Sequence, residues 1–553
     1  MPPPNLITDH SREETALREI AVTSVQTRLA VWMTGIFLLS ICSIAVLWLL
    51  DGKLLGHSQG KPSQPHAATT SAETNEAQTV REDHLGFVVQ ITALNESLKQ
   101  RLKRYERSLE ENSPLSRWTL PWLQSFCCRF LGRGNEKVYI GRTGWLFFRP
   151  DVDHLLGGGF LGNQSADKSW SCNPIPALIR FKEDLAARGI RLLVVPVPSK
   201  AAIAPSYLST RFASTDAPLE NPSYPIFLEQ LRSHGIEALD LSVPLSKMKS
   251  PSDDPCYLKT DTHWAPFGME QAAALIASRI RVSAGASTDD TSRFSHTTPL
   301  TMTNRGDLAV MLKLPAGTSL YPAEDTVIHP VNGPDGKPWK PTPSSGVLVL
   351  GDSFARIYSG EDLGWGTSAG LAEQLSYFLQ QPVDLLAINA GGASTSRQAL
   401  ARSTERLNGV KTVVYEFAMR ELSSGNWKVI PLPPVSAVNR RSEQPSRRIS
   451  GIIAGVTHPP SPTGSPYRDV ITCLHLKNVS GTSEKEILVF LYGMRNHALT
   501  EASSLDVGQE VSLEVVPWEG KERELGSIQR VEPSGEEAEL EGIYWTDDYS
   551  ATR

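Results

Sequence analysis

Four short apolar runs set the tightest limit on how this chain can fold. Arg191–Pro198 reads RLLVVPVP, Val347–Leu350 reads VLVL, Val383–Ile388 reads VDLLAI and Thr412–Phe417 reads TVVYEF. A strand that is apolar along its whole length needs cover on both faces, which is the situation inside a parallel sheet. The stretches between supply that cover. Helices are predicted over Ile175–Arg188, Ile226–Ser233, the Ala-rich Phe267–Ile280, Ala369–Gln380 and Ser394–Leu407. With a further strand at Ile236–Leu241, the repeated βα pattern predicts an α/β fold with a doubly wound, mainly parallel sheet over about 135–425. Ligands of such sheets bind beyond the carboxyl ends of the strands. The residues just after each strand are therefore where chemistry is sought.

The flanks are organised differently. Leu29–Leu50 reads LAVWMTGIFLLSICSIAVLWLL and carries no charge. At about 1.5 Å per helical residue it is long enough to cross a bilayer. It ends in Trp48-Leu49-Leu50-Asp51, unlike the small-residue end of a cleaved signal. A transmembrane anchor over 29–50 is expected, with 1–28 as a cytoplasmic tail. Arg12, Arg18 and Arg28 before the run and Lys53 and Lys61 after it give only a slight orienting bias. Residues 52–83, rich in Ser, Thr, Pro, Gln and Ala, read as a disordered linker. Over 84–112, Leu94, Leu98, Leu102, Tyr105 and Leu109 recur at helical steps, so an amphipathic helix docked on its own domain is expected, with a short coiled coil as the alternative. A second linker spans 426–448. Beyond it, ISGIIAGV, VITCLHLKNV, EILVFLYGM and VSLEVVPW predict a small all-β domain over 449–550, an antiparallel barrel or sandwich of which an OB-like barrel is one form.

Sixty acidic residues against 54 basic ones leave a net charge of -6, which argues against a nucleic-acid partner. The six cysteines form no CxxC pair, which argues against a structural zinc site, and no metal or cofactor is expected. Cys172 and Cys256 are a candidate disulfide if their domain lies outside the cytoplasm.

Three motifs fall where the sheet would deliver chemistry. Ser353 follows VLVL in Gly351-Asp352-Ser353-Phe354, a turn off a strand end onto helix-side amides. A capping Ser or Asp after a strand is the structural alternative. Asp261-Thr262-His263-Trp264 precedes the Phe267 helix. A serine hydroxyl needs a base, histidine is the usual one near neutral pH, and a carboxylate fixes its tautomer. A surface loop or a metal pair is the alternative for an isolated DxH. Asn389 with Gly391 and Gly392 follows VDLLAI and offers oxyanion donors or, equally, a plain glycine turn. Together the three provide nucleophile, base with orienter, and oxyanion donors on one sheet edge.

This set resembles the SGNH hydrolase superfamily. The order is closer to the alginate O-acetyltransferase group of the AlgJ and AlgX type, in which a DxHW element precedes the GDS serine. Asp261, His263, Trp264 and Ser353 match that order, and GRTGWLFF, the RGDL at Arg305–Leu308 and YEFAMREL with Arg420 add to it. The likeness covers about 135–425 and does not reach 449–553. It implies that Ser353 takes an acetyl group, that His263 acts as general base and then acid, that Asp261 orients His263, and that the acetyl passes to a hydroxyl of an extracytoplasmic, alginate-like polysaccharide. Arg305, Arg397 and Arg420 are candidates to bind an acidic polymer, or internal ion-pair residues. The resemblance further implies a membrane-bound acyltransferase partner as acetyl donor and a periplasmic catalytic domain on a single-pass inner-membrane protein. A carbohydrate acetylesterase with the same triad and a non-enzymatic assembly or binding protein are the alternatives.

Overall fold

The structure, a computed structural model, describes residues 114–547 apart from 162–172, 213–216, 250–255, 285–292, 344, 435–445, 463–464, 527, 534–539 and 541. The expected tail, anchor, linker 52–83 and helix 84–112 lie outside these residues, as does Cys172. No helix among the described residues is long and apolar enough to cross a membrane.

Five strands form the central sheet: β1 (Arg191–Val197), β2 (Glu237–Ala238), β3 (Val347–Gly351), β4 (Val383–Ala387) and β5 (Thr412–Ala418). They lie in the order β4-β3-β5-β1-β2, and all four pairings are parallel. Because side chains alternate across a strand, each strand feeds two cores. Leu193, Val195, Val197, Val349 and Val414 point to one side. There they meet α3 (Pro266–Ala284) and α4 (Leu371–Leu379) through Met269, Ile276, Leu371 and Leu375. Leu192, Val194, Leu348, Leu350 and Val413 point to the other. They meet α1 (Pro174–Ala186), α2 (Tyr224–Ser233) and α5 (Thr395–Arg402) through Leu178, Phe181, Phe227, Leu231 and Leu400. Each such side chain removed from water contributes about 1.5–3 kcal/mol, which is why the runs have no polar face.

Two elements are shorter than the sequence predicts. The strand expected over Ile236–Leu241 pairs only at Glu237–Ala238, on the sheet edge. Asp240 then accepts the Ser242 N–H and turns the chain into a helix. The helix expected over Ser394–Leu407 breaks at Ser403, between α5 and a 3₁₀ turn at Thr404–Leu407. The GRTGWLFF stretch is a small hairpin, Val138–Ile140 against Leu146–Phe148, whose turn places Thr143 and Gly144 at φ 52° and 82°.

The C-terminal domain is a closed barrel of β6 (Arg447–Val456), β7 (Val470–Ser480), β8 (Glu486–Arg495), β9 (Glu510–Pro517) and β10 (Ile543–Trp545). The ring runs β6-β7-β8-β10-β9 and back to β6, with β8 and β10 parallel and every other pair antiparallel. Leu474, Leu476, Val489, Leu491 and Leu513 fill it. The thiol of Cys256 is buried and lies 3.5 Å from the Leu245 and Met248 carbonyls, and its candidate bridge partner Cys172 lies outside the described residues.

Candidate active site

Ser353 is delivered by the end of β3. Gly351 closes the strand, and Ser353 heads a single helical turn, Ser353–Arg356. Asp352 caps that turn by accepting the Phe354 N–H at 2.8 Å, while its own N–H donates to Glu416 Oε2 at 3.1 Å. Glycine is required at 351, because a Cβ there would sit 2.6 Å from Glu416 Oε2 and 2.7 Å from Ala355 Cβ. Burial, and then the charge of Asp352, push the Glu416 carboxyl well above the usual range.

His263 comes from a tight loop between Cys256 and Pro266, closed by the Leu258 N–H to the His263 carbonyl and the Ala265 N–H to the Cys256 carbonyl. Its Nε2 lies 2.8 Å from Ser353 Oγ and its Nδ1 lies 2.7 Å from Asp261 Oδ1. Asp261 can only accept as a carboxylate, so Nδ1 carries the proton and Nε2 is left to accept from the serine hydroxyl. The carboxylate is saturated. Oδ1 also takes the His263 N–H at 3.1 Å, and Oδ2 takes the Asp307 N–H and Trp365 Nε1–H, both at 3.0 Å. Trp264 donates Nε1–H to the Phe354 carbonyl at 3.0 Å, tying the histidine loop to the serine turn.

These contacts fix the charges. Burial alone would raise the Asp261 carboxyl, but the hydrogen bond and charge of His263 and the two backbone N–H groups outweigh it and hold it below the usual carboxylate range. Burial likewise pulls His263 down, and Asp261, then Asp307 and Asp352, overcome this and raise it above an ordinary histidine. Asp307, on the RGDL turn, accepts the Thr262 N–H at 2.7 Å, and burial and the charge of Asp261 push it up to about 7. Asp261, His263 and Asp307 lie close enough to share a cation, and the two ring nitrogens of His263 face Asp261 and Ser353.

Asp261 and His263 line a cleft of about 360 Å³ with walls from both domains, and the buried Ser353 lies behind His263. The α/β domain contributes Arg305, Asp307 and the Glu361–Trp365 segment, and the barrel contributes Ser465–Arg468, from the loop between β6 and β7, with His497 from the β8 hairpin. Arg468 donates to Asn496 Oδ1 at 2.7 Å and its carbonyl accepts the His497 N–H at 2.8 Å, so the barrel side of the cleft is one braced unit.

Of the three arginines singled out, only Arg305 reaches this cleft. Its Nε and Nη2 are buried and find no partner among the described residues. Arg397 is fully buried and spends its guanidinium on the Ala393 and Lys428 carbonyls, Tyr415 and Ser394. Arg420 pairs with Asp151 at 3.2 Å and stacks on Phe148 and Phe354 behind the nucleophile. The glycine block has neighbours of its own. Asn389 donates Nδ2–H to Asp362 at 2.5 Å, and Gly391 and Gly392 line a separate cavity of about 410 Å³ against Gln529–Pro533. The chain reverses straight after β4, with the Gly391 N–H on the Ile388 carbonyl and Ala390 at φ 53°.

Sequence reasoning passed over Lys200, Asp307 as a site residue, Trp365 and the barrel residues. Lys200 had a signal, since it follows the apolar strand RLLVVPVP on the sheet's carboxyl edge. Trp365 and Tyr467 reach the site from distant loops that carry no motif.

A parallel sheet with a serine at one strand end and its histidine and aspartate on a preceding loop is the architecture of an SGNH hydrolase-like domain. The family described as "SGNH hydrolase-like domain, acetyltransferase AlgX" matches residues 138–419, and the chain belongs to it. The probable alginate O-acetylase AlgJ of Pseudomonas aeruginosa is 31% identical over 149 residues, 27% of this chain and 34% of that protein. Its counterpart in Pseudomonas putida is 28% identical over 240 residues, 43% of this chain and 57% of that protein. The chain thus spans between about a third and somewhat over half the length of these relatives. The solved O-acetyltransferase domain of Pseudomonas putida AlgJ is similar at 20% identity, with 55% of this chain and 96% of that one covered and a TM-score of 0.40. Pseudomonas aeruginosa AlgX is similar at 19% identity, with 72% and 94% covered and a TM-score of 0.39.

Proposed function

We propose that this protein is an O-acetyltransferase that carries an acetyl group on Ser353 and passes it to hydroxyls of an acidic, alginate-like polysaccharide. The observation that supports this best is the unbroken chain Ser353 Oγ–His263 Nε2, His263 Nδ1–Asp261 Oδ1, at 2.8 and 2.7 Å. His263 takes the serine proton as Oγ attacks the donor acetyl carbonyl, then returns it to the leaving group. The acyl-enzyme is resolved when His263 deprotonates a sugar hydroxyl, which attacks the same carbonyl and frees Ser353. Asp261 holds the tautomer and stabilises the imidazolium.

The cleft supports a saccharide acceptor. Arg305, whose Nε and Nη2 find no partner among the described residues, suits a carboxylate, because guanidinium–carboxylate hydrogen bonds are charge-assisted and directional. The barrel presents the loop between its first two strands, a surface that OB-like barrels use for oligosaccharides and oligonucleotides. The proposal includes a membrane setting. Leu29–Leu50 anchors the chain in the inner membrane, the catalytic domain lies on the periplasmic side, and a membrane-bound acyltransferase supplies the acetyl.

The test is turnover of a chromogenic acetyl ester by the purified chain, with and without acidic oligosaccharide, against Ser353→Ala. Acetylated oligosaccharide formed only by the wild-type chain is the expected result. Acetate release indifferent to sugar, with no acetylated product, would make the protein an esterase.

A further inference from the structure

We infer that the segment Trp118–Leu131 is a membrane-surface element that seats the catalytic domain on an anionic lipid bilayer. This rests on the reading that the chain is membrane-held, and extends it to a surface the apolar segment 29–50 does not include.

The segment is helical, Pro114–Phe126 followed by a wider turn at Cys127–Leu131, and ends at Gly132 in the left-handed region. Its exposure runs opposite to that of an ordinary surface helix. Trp118, Trp122, Phe126 and Phe130, spaced by four, are 72%, 63%, 51% and 67% exposed, and Leu120, Leu123 and Leu131 beside them are also exposed. Residues four apart share a helix face, so the aromatics form one continuous stripe. The opposite face meets the protein. Cys128 packs with Val138, Leu146, Leu308, Ala309 and Leu312, and accepts a hydrogen bond from Gln124. A helix pinned by its inner face, with tryptophans and phenylalanines exposed, leaves a large apolar area without cover among the described residues.

Charge identifies the occupant. From Pro114 to Asn135 the chain has no Asp or Glu, and its charged residues are Arg117, Arg129 and Arg133. Arg129 and Arg133 are exposed. Aromatic rings with arginines and no acids suit the headgroup boundary of an anionic leaflet, where indole rings partition and cations are attracted. The remaining chain permits it, since residues 51–113 separate the apolar segment from this helix. Docking here also has a catalytic consequence. The helix packs on Leu308, next to the Asp307 that lines the cleft, and Asn135 donates to the Met311 carbonyl at 2.8 Å. The element that meets lipid is therefore rigidly joined to one wall of the active site, and holds it near a membrane-borne acetyl donor.

The experiment is photolabelling of the full chain, one copy per nanodisc of 3:1 phosphatidylethanolamine and phosphatidylglycerol, with a lipid carrying a diazirine in its acyl chain. Labelled residues are mapped by peptide mass spectrometry. The expected result is labelling at 118–131 at least about tenfold above that around the exposed barrel residue Val507, in addition to labelling at 29–50. The fourfold variant Trp118→Ser, Trp122→Ser, Phe126→Ser, Phe130→Ser should lose it at 118–131 while turning over soluble acetyl ester like the wild type. Labelling confined to 29–50 overturns the inference and points to a protein partner or another segment of this chain as the cover. Labelling at 118–131 without 29–50 overturns the anchor reading alone, and labelling at neither overturns both.

Discussion

The ammonium of Lys200 lies 2.6 Å from the carbonyl oxygen of Asp261, in a pocket where the lysine is fully enclosed. It also donates to the Leu258 and Lys259 carbonyls at 3.0 and 3.2 Å, and its Nζ sits 5.6 and 5.5 Å from the rings of Trp145 and Phe147. One cation thus gathers three carbonyls of the loop that carries Asp261 and His263, and the aromatic hairpin GRTGWLFF forms its back wall. Burial, opposed chiefly by the charge of Asp261, lowers its pKa to about 8. Lys200→Met keeps the length and removes the donors, leaving carbonyls bare at about 1–3 kcal/mol each, offset in part by relief of a buried charge. A loop displaced by about 1 Å costs roughly 10²-fold in rate. The expected outcome is a fall in kcat of about that size with KM for the acetyl ester within about threefold, measured beside thermal midpoints. Unchanged kcat would show that the loop holds itself.

Ser353→Ala and His263→Ala should each lower acyl transfer by on the order of 10⁴- to 10⁶-fold, and the double variant should be no worse than either alone, because the two act as one unit. Burst kinetics with the chromogenic ester are the measurement. Near-normal turnover in His263→Ala would remove the mechanism.

The acid limb of the rate profile should report His263. The neutral ring is the base, and Asp261 and Asp307 raise its pKa, so half-maximal rate should fall above the ordinary histidine value of about 6.5. Asp261→Asn removes the largest raising contribution. The limb should then move to lower pH while kcat falls, and a limb that stays in place would count against the assignment. Stability follows the same sign. A histidine raised by its partner stabilises the fold fully below its unfolded pKa, and this contribution disappears as pH rises through the higher folded value.

Arg305→Ala should weaken the acceptor step. A charge-assisted hydrogen bond contributes about 1.5–3 kcal/mol, or roughly 10- to 100-fold in acceptor KM. Acetyl-enzyme formation, which precedes acceptor binding, should change much less. Competition between acidic and neutral oligosaccharides reads this directly, and equal losses with both would argue that Arg305 does not contact a carboxylate.

Sequence alone determined the layered α/β sheet and the carriers of the serine chemistry. Strands buried on both faces must be largely apolar, and a turn of Gly, Asp and Ser closes β3, so β1, β3, β4, β5 and Ser353 were legible in short windows. Asp261 and His263 share one loop and were legible for the same reason. Only the tertiary structure decided which charged groups face the cleft. Arg305, Arg397 and Arg420 are alike as letters, and what separates them is the partner each finds across the fold: none among the described residues for two N–H groups of Arg305, carbonyls for Arg397, Asp151 for Arg420. The same holds for Asn389, whose side-chain amide meets Asp362 across the fold. It holds also for Tyr467 and Arg468, brought over the triad by barrel closure. Local patterns are fixed by periodicity and turn chemistry, whereas long-range electrostatic partners are fixed by how whole elements pack.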